Sequence, residues 1–223
     1  GIGGLTLAIA LQRKGFSVSI YEGTPKIQPV GAGLVLAANA MKAFTDIGIG
    51  EAVLQAGKVL KVLRVKDSTG NILTETDSEK IAAKLGVINN FAIHRADLHA
   101  VLVDQLQPGT LHLNKRCVDW EKQGAVILLK FSDHTHTLTD HVIAADGIHS
   151  VIRKKLLPDV KPRYAGYTCW RGLADQLPAD ADPGETSETW GVGSRFGIVP
   201  LIHNRVYWFA CLNAKENDPD MKA

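Results

Sequence analysis

Glycine occupies positions 1, 3 and 4, and the chain runs from there straight into an apolar stretch. Leu5, Ala8, Ile9 and Leu11 recur at helical spacing, which predicts a helix over 3–14. Gly15 stops that helix, and Arg13 and Lys14 suit its negative C-terminal end. Residues 16–21 then alternate as a strand that ends on Glu22. Glycine turn, helix, strand and an acid about 20 residues on is the order of a dinucleotide-binding fingerprint. In that register Gly1 is the second glycine, where pyrophosphate approaches the backbone, and Gly4 is the third, where helix meets sheet. The first glycine falls upstream of residue 1. Exposed N–H groups at the helix start would hold the pyrophosphate, and Glu22 would accept from a ribose hydroxyl. The competing reading is an ordinary turn with Glu22 as a surface carboxylate.

Composition restricts the partners. The 25 basic and 23 acidic side chains leave a net charge of +2, too balanced to mark a nucleic-acid or anionic-membrane surface. No apolar run reaches membrane-spanning length. The cysteines, Cys117, Cys169 and Cys211, are widely spaced and form no C-x-x-C pair. They suit reduced thiols in a cytoplasmic protein, each a small core residue, better than a disulfide scaffold or a zinc site. His134 and His136 bracket Thr135 with no third ligand in view, so they read as exposed histidines and no metal is expected.

Further along, Gly31-Ala32-Gly33 is a loop before the apolar Leu34-Val35-Leu36, and helices are expected over 39–47 and 51–55. Residues 60–65 and 72–76 form a hairpin around a glycine-containing turn. A helix is expected over 95–106, then short strands at 111–113, 117–121, 126–131 and 136–138. The run His141-Val142-Ile143-Ala144-Ala145 is apolar nearly throughout, like a central parallel strand covered on both faces. It leads into Asp146-Gly147 and a helix over 150–157, where Ser150 is the expected cap. Pro158 and Pro162 break the helical pattern, and four strands follow, near 164–171, 188–191, 196–201 and 205–212. Trp170, Trp190 and Trp208 lie there and read as sheet-core residues. The expected domains are therefore 1–160 and 161–223, with the hairpin at 59–77 a candidate to join the second sheet.

Several segments carry a family resemblance. GIGGLTLAIAL, GAGLVLAANAMKAF, IHRADLHAVL, DHVIAADGIHSVIR, YTCWRG and FGIVPL follow one another over almost the whole chain. Together they resemble the FAD-dependent aromatic-ring monooxygenases of the p-hydroxybenzoate hydroxylase type. The most specific segment is D-x-x-x-A-A-D-G-I-H-S-x-x-R, residues 140–153. The resemblance implies an α/β fold: a Rossmann-like FAD-binding domain with an appended antiparallel β-sheet substrate domain. It implies that Gly1, Gly3, Gly4, Glu22, Gly33, Arg95, Asp146 and Gly147 bind FAD. Arg95 would meet the pyrophosphate or ribose region, which suits the rigid donor fork of a guanidinium. Arg171, Arg195 and Tyr207 are the candidates for facing a substrate cavity between two domains.

The implied reaction is hydroxylation of a small aromatic or heteroaromatic substrate, with NAD(P)H as reductant, dioxygen as co-substrate and a flavin hydroperoxide as oxygen donor. The cofactor carries that chemistry, so no catalytic acid or base is named. Two alternatives stay open: a reductase of the same fold, and a non-catalytic module that binds FAD or NAD(H). The family also has a later Gly-Asp segment on the FAD ribose, which does not occur in this sequence. The chain therefore reads as a fragment, expected to hold FAD poorly and turn over nothing by itself.

Overall fold

The computed structural model describes residues 1–27 and 31–218. The last five residues of the expected second domain lie outside that set. The chain divides into two compact units, each drawn from two stretches: 1–28 with 102–163, and 29–101 with 164–223. One division falls at 163/164. The others place 29–101 with the second sheet, where the sequence reading assigned those residues to the first domain.

In the first unit, α1 (Ile2–Arg13) buries Leu5, Ala8 and Ile9 on one face. Gln12, on the same helix, donates to Thr110 Oγ1 at 2.6 Å and accepts from the Gln107 amide at 3.2 Å. Gly15 takes φ +87, a left-handed turn that glycine enters without a β-carbon penalty. The expected strand over 16–21 shrinks to β1 (Ile20–Tyr21). It pairs in parallel with β7 (Leu111–His112), which is also two residues long, so the ladder ends where its neighbour ends. Phe16 is left exposed.

β8 (Cys117–Gln123), β9 (Val126–Phe131) and β10 (His136–Thr139) form an antiparallel meander close to the expected boundaries. His134 and His136 are both exposed. The run 141–145 is a correction: it is not a covered central strand. Among the described residues no strand pairs with it, and Ile143, Ala144 and Ala145 are exposed. Apolar composition reports what a segment could bury, not whether a neighbouring strand stands beside it. α6 (Val151–Leu156) follows. Lys155 ties it to β8 through Asp119 Oδ1 at 2.7 Å and the Trp120 carbonyl at 2.6 Å.

The second unit holds two sheets. One is β2 (Gly33–Leu36), β6 (Phe91–His94) and β3 (Gly57–Val59), with β6 central and buried throughout. Helices α2 (Ala38–Asp46) and α3 (Gly50–Gln55) lie near their expected positions. The other sheet has six strands. Along it run β11 (Tyr167–Ala174), β14 (Val206–Asn213), β13 (Ser194–Pro200), β12 (Glu185–Gly191), β4 (Val62–Asp67) and β5 (Ile72–Asp77). The β4–β5 hairpin thus sits in this sheet, joined to β12 by a parallel ladder, so the appended sheet is mixed at one joint. Glu185 is buried at that joint and pairs with both Arg64 and Lys66.

Among the described residues the remaining α-helices are α4 (Ser78–Leu85) and α5 (Arg95–Asp104). Leu60, Ala92, Val199 and Leu201 make a core cluster, with Tyr207 and Phe209 packed against it. Trp190 corrects the reading of the tryptophans as core. It is half exposed, and its indole N–H donates to Glu188 Oε1 at 2.9 Å.

Candidate functional site

Within the first unit, α1 begins without a side-chain cap and without an acid in its first turn. Its leading N–H groups are therefore available to an anion. A β-carbon at Gly1 or Gly3 would meet nothing within 4 Å, so the backbone is open there. At Gly4 the same atom would lie 3.2 Å from the β-carbon of Ala145. The third glycine thus lets the helix approach the segment that carries Asp146-Gly147, and two motifs far apart in sequence meet.

Glu22 follows β1, and its Oε2 lies 3.6 Å from the Gly1 nitrogen. Burial opposes its ionisation. Its Oε1 accepts from the Thr24 amide at 3.0 Å, which favours the charged form. Asp146 is exposed and accepts from the Val151 amide at 3.0 Å through Oδ2. Gly147 takes φ +77. Ser150 Oγ accepts from the Arg153 amide at 2.9 Å, the expected cap of α6. The turn-and-cap reading of this motif and the cofactor reading are therefore compatible. One Asp146 oxygen holds the helix start, and the segment borders the open glycine turn through Ala145.

In the second unit, Gly31, Ala32, Gly33, Leu34, Arg95, Arg171 and Gly172 line a cleft of about 450 Å³. Close approach builds it. A β-carbon on Gly31, which takes φ +137, would stand 2.8 Å from Arg95 Cδ. The Arg95 amide donates to the Ala32 carbonyl at 3.0 Å. Gly33, Arg95 and Arg171 from the sequence reading thus share one cleft.

A network missed in the sequence supports it. Buried His94 places Nε2 3.2 Å from the Gly31 carbonyl oxygen and Nδ1 3.6 Å from Asp97 Oδ1. Arg205 donates to Asp97 Oδ2 at 2.8 Å. The sequence signal was His-Arg-Ala-Asp at 94–97, which puts His94 and Asp97 three apart across the start of α5.

Register places the remaining candidates. Leu173, Tyr207 and Val199 form one cross-strand row, and Cys169, Cys211 and Arg195 another. Alternation then puts Arg171, Tyr207 and Arg195 on one face of the six-stranded sheet. Burial raises the Tyr207 hydroxyl above its ordinary value, against the pull of Arg171. Arg195 lies in a separate cleft of about 300 Å³ with Tyr167, Trp190, Cys211 and Asn213 among its walls. Its guanidinium stands over the Tyr167 ring, 5.6 Å from the centroid, and donates to Glu188 Oε1 at 3.2 Å.

A family model described as "FAD binding domain" matches residues 1–187. The chain belongs to that family. Its relatives within and around it include the aurachin C monooxygenase/isomerase of Stigmatella aurantiaca, 35% identical over 220 residues, 99% of this chain and 57% of the relative. The 6-hydroxynicotinate 3-monooxygenase of Pseudomonas fluorescens is 33% identical over 189 residues, 81% of this chain and 49% of the relative. Among solved structures, Klebsiella pneumoniae HpxO complexed with FAD and uric acid aligns with a TM-score of 0.87 and 26% identity, over 99% of this chain and 57% of that one.

This FAD-binding-domain chain spans about half the length of the curated relatives it matches. Its fold class is the one the sequence implied, a Rossmann-like FAD-binding domain with an appended β-sheet domain. Among the described residues, no helix is long and apolar enough to cross a membrane.

Proposed function

We propose that the full-length protein is an FAD-dependent monooxygenase that hydroxylates a small aromatic or heteroaromatic ring, with NAD(P)H as reductant and dioxygen as co-substrate. The observation that carries this is the uncapped start of α1, open at Gly1 and Gly3 and held by Gly4 against Ala145 beside Asp146-Gly147. A backbone open to a diphosphate beside a second nucleotide-binding motif fits FAD better than an ordinary turn does.

In this reading the first α1 amides bind the pyrophosphate, Glu22 accepts from a ribose hydroxyl, and Asp146-Gly147 closes the same side. Gly33 and Arg95, which share a cleft of the second unit, are the further residues this reading assigns to FAD. Bound FAD supplies electron transfer from NAD(P)H and activation of dioxygen. The chain's own work is to bind, orient and exclude water. Arg171, Arg195 and Tyr207 share a sheet face. There a guanidinium suits a carboxylate or phenolate substituent, and a phenol suits a ring heteroatom. Small molecules are its partners, and the unpaired thiols suit a cytoplasmic setting.

The test uses the full-length protein. Flavin absorbance reports binding, and an oxygen electrode beside NAD(P)H absorbance reports turnover across a panel of phenols, hydroxybenzoates and N-heterocycles. Substrate-stimulated consumption of both NAD(P)H and dioxygen is expected. NAD(P)H loss without dioxygen uptake would instead show a reductase, and stoichiometric flavin with no turnover a binding module.

A further inference from the structure

Cys169 and Cys211 sit 42 positions apart in sequence yet face each other directly across the β11–β14 ladder. Opposed Cα atoms in an antiparallel pair lie about 4.5 or about 5.5 Å apart. Both values fall inside the window of about 4.4–6.8 Å that a disulfide spans. The Cys169 thiol donates to the Trp170 carbonyl at 3.5 Å. Burial, followed by the hydrogen bond and charge of Cys211, holds the Cys169 thiol above its ordinary value, against Arg171 and Arg195. Cys169 is partly exposed, and Cys211 beside it in the row is buried. Arg195, opposite Cys211 on the next strand, extends the row.

We propose that Cys169 and Cys211 are a dithiol modification site that closes to an intramolecular disulfide on two-electron oxidation by a hydroperoxide. The partly exposed Cys169 sulfur, as thiolate, attacks the peroxide O–O bond. It becomes a sulfenic acid, and the other peroxide oxygen leaves as water or alcohol. The Cys211 sulfur then attacks that sulfenic sulfur, the S–S bond forms, and the hydroxyl leaves as water with the second thiol's proton. Two thiols lose two electrons and two protons, and one peroxide is reduced. The raised Cys169 thiol makes this a slow response rather than a fast sensor's. Cys117 supplies an internal comparison. It lies in the other unit, opposite Phe131 in its ladder, and its Sγ donates to the Asp119 carbonyl at 3.5 Å.

The bond would tie β11 to β14 on the face that carries Arg171, Arg195 and Tyr207, with Cys211 in the wall of the Arg195 cleft. The inference stands whether or not the proposed oxygenation is correct.

The experiment takes the reduced full-length protein through graded hydrogen peroxide, then alkylates and maps its peptides by mass spectrometry. The expected result is a cross-linked peptide joining residues 169 and 211, reversed by dithiothreitol, while Cys117 still alkylates. Persistence of both thiols through a large peroxide excess overturns the proposal. So does oxidation of Cys169 to sulfinic acid with Cys211 still alkylated. The readout is taken on the unmutated chain, so no variant has to fold.

Discussion

Gly33 lies against the ring of Tyr207: a β-carbon at 33 would stand 2.5 Å from both Cβ and Cγ of that residue. A strand of the small sheet and a strand of the large one therefore touch through the absence of a side chain. Gly33→Ala is expected to lower stability by about 1–3 kcal/mol, the usual range for overpacking. Urea denaturation measures it. Pairing the change with Tyr207→Gly should recover part of the loss, because the β-carbon and the ring that are struck have both gone. Strict additivity of the two changes would contradict the contact.

Gly1 makes the opposite case. No described residue lies within 4 Å of a β-carbon built there, so Gly1→Ala meets no clash among the described residues, and the readout is FAD binding by the full-length protein. Its FAD dissociation constant should rise by about tenfold or more, a loss of about 1.4 kcal/mol. Titration followed by flavin fluorescence measures it. An unchanged constant would remove Gly1 from the proposed cofactor turn.

A pH effect is expected where Asp133 meets Lys115, 2.5 Å from Nζ to Oδ2. Hydrogen bonds from Lys115, then from Thr135, hold the Asp133 carboxyl down to about 2, against an ordinary 3.8. A depressed carboxyl stabilises the fold above its unfolded value, and that contribution is lost as pH falls from about 4 toward 2. Lys115→Met should return the Asp133 midpoint toward 3.8, read by NMR titration of the side-chain carboxyl carbon. A midpoint that stays near 2 would shift the credit to Thr135.

Ser150 caps α6 through the Arg153 amide. Ser150→Ala should cost about 1 kcal/mol, the usual worth of an N-cap. Thr at the same position should keep most of it. Thermal unfolding distinguishes the two variants, and equal losses would mean that the buried Ser150 matters for packing instead.

The sequence made much of this legible, and the exceptions have physical causes. α1, the 117–139 meander and α6 were readable because period and punctuation agreed: Gly15 after the helix, Gln123-Gly124 and Ser132-Asp133 between strands, Ser150 before Val151. α4 was missed although its signals are local. Asp77 accepts from the Lys80 amide, and Gly86 closes the helix at φ +67. β6 was missed because Phe-Ala-Ile-His is buried on every side and shows no alternation. The strand expected at 141–145 failed for the reverse reason, since composition cannot report whether a neighbour stands beside a segment. At the site, Gly31, Gly33 and Arg95 were visible as motif residues. The link from His94 through Asp97 to Arg205 was not, because Arg205 joins from 108 residues away. The Cys169–Cys211 pair was hidden likewise, since only strand register brings the two together.

The parallel joint between β4 and β12 has a consequence for how the chain is made. Arg64 and its partner Glu185 are separated by 121 residues. A ribosome adding about 5–20 residues per second leaves β4 waiting on the order of ten seconds for that neighbour. In the interval the β4–β5 hairpin is an open edge, the kind of surface on which nascent chains stick to one another. Arg64 is already paired with Glu75 across the hairpin, so Lys66 is the cation on that edge whose partner, Glu185, comes with β12. A charge on an open edge disfavours pairing with other copies, and Glu185 on β12 supplies its counter-charge when the parallel joint forms.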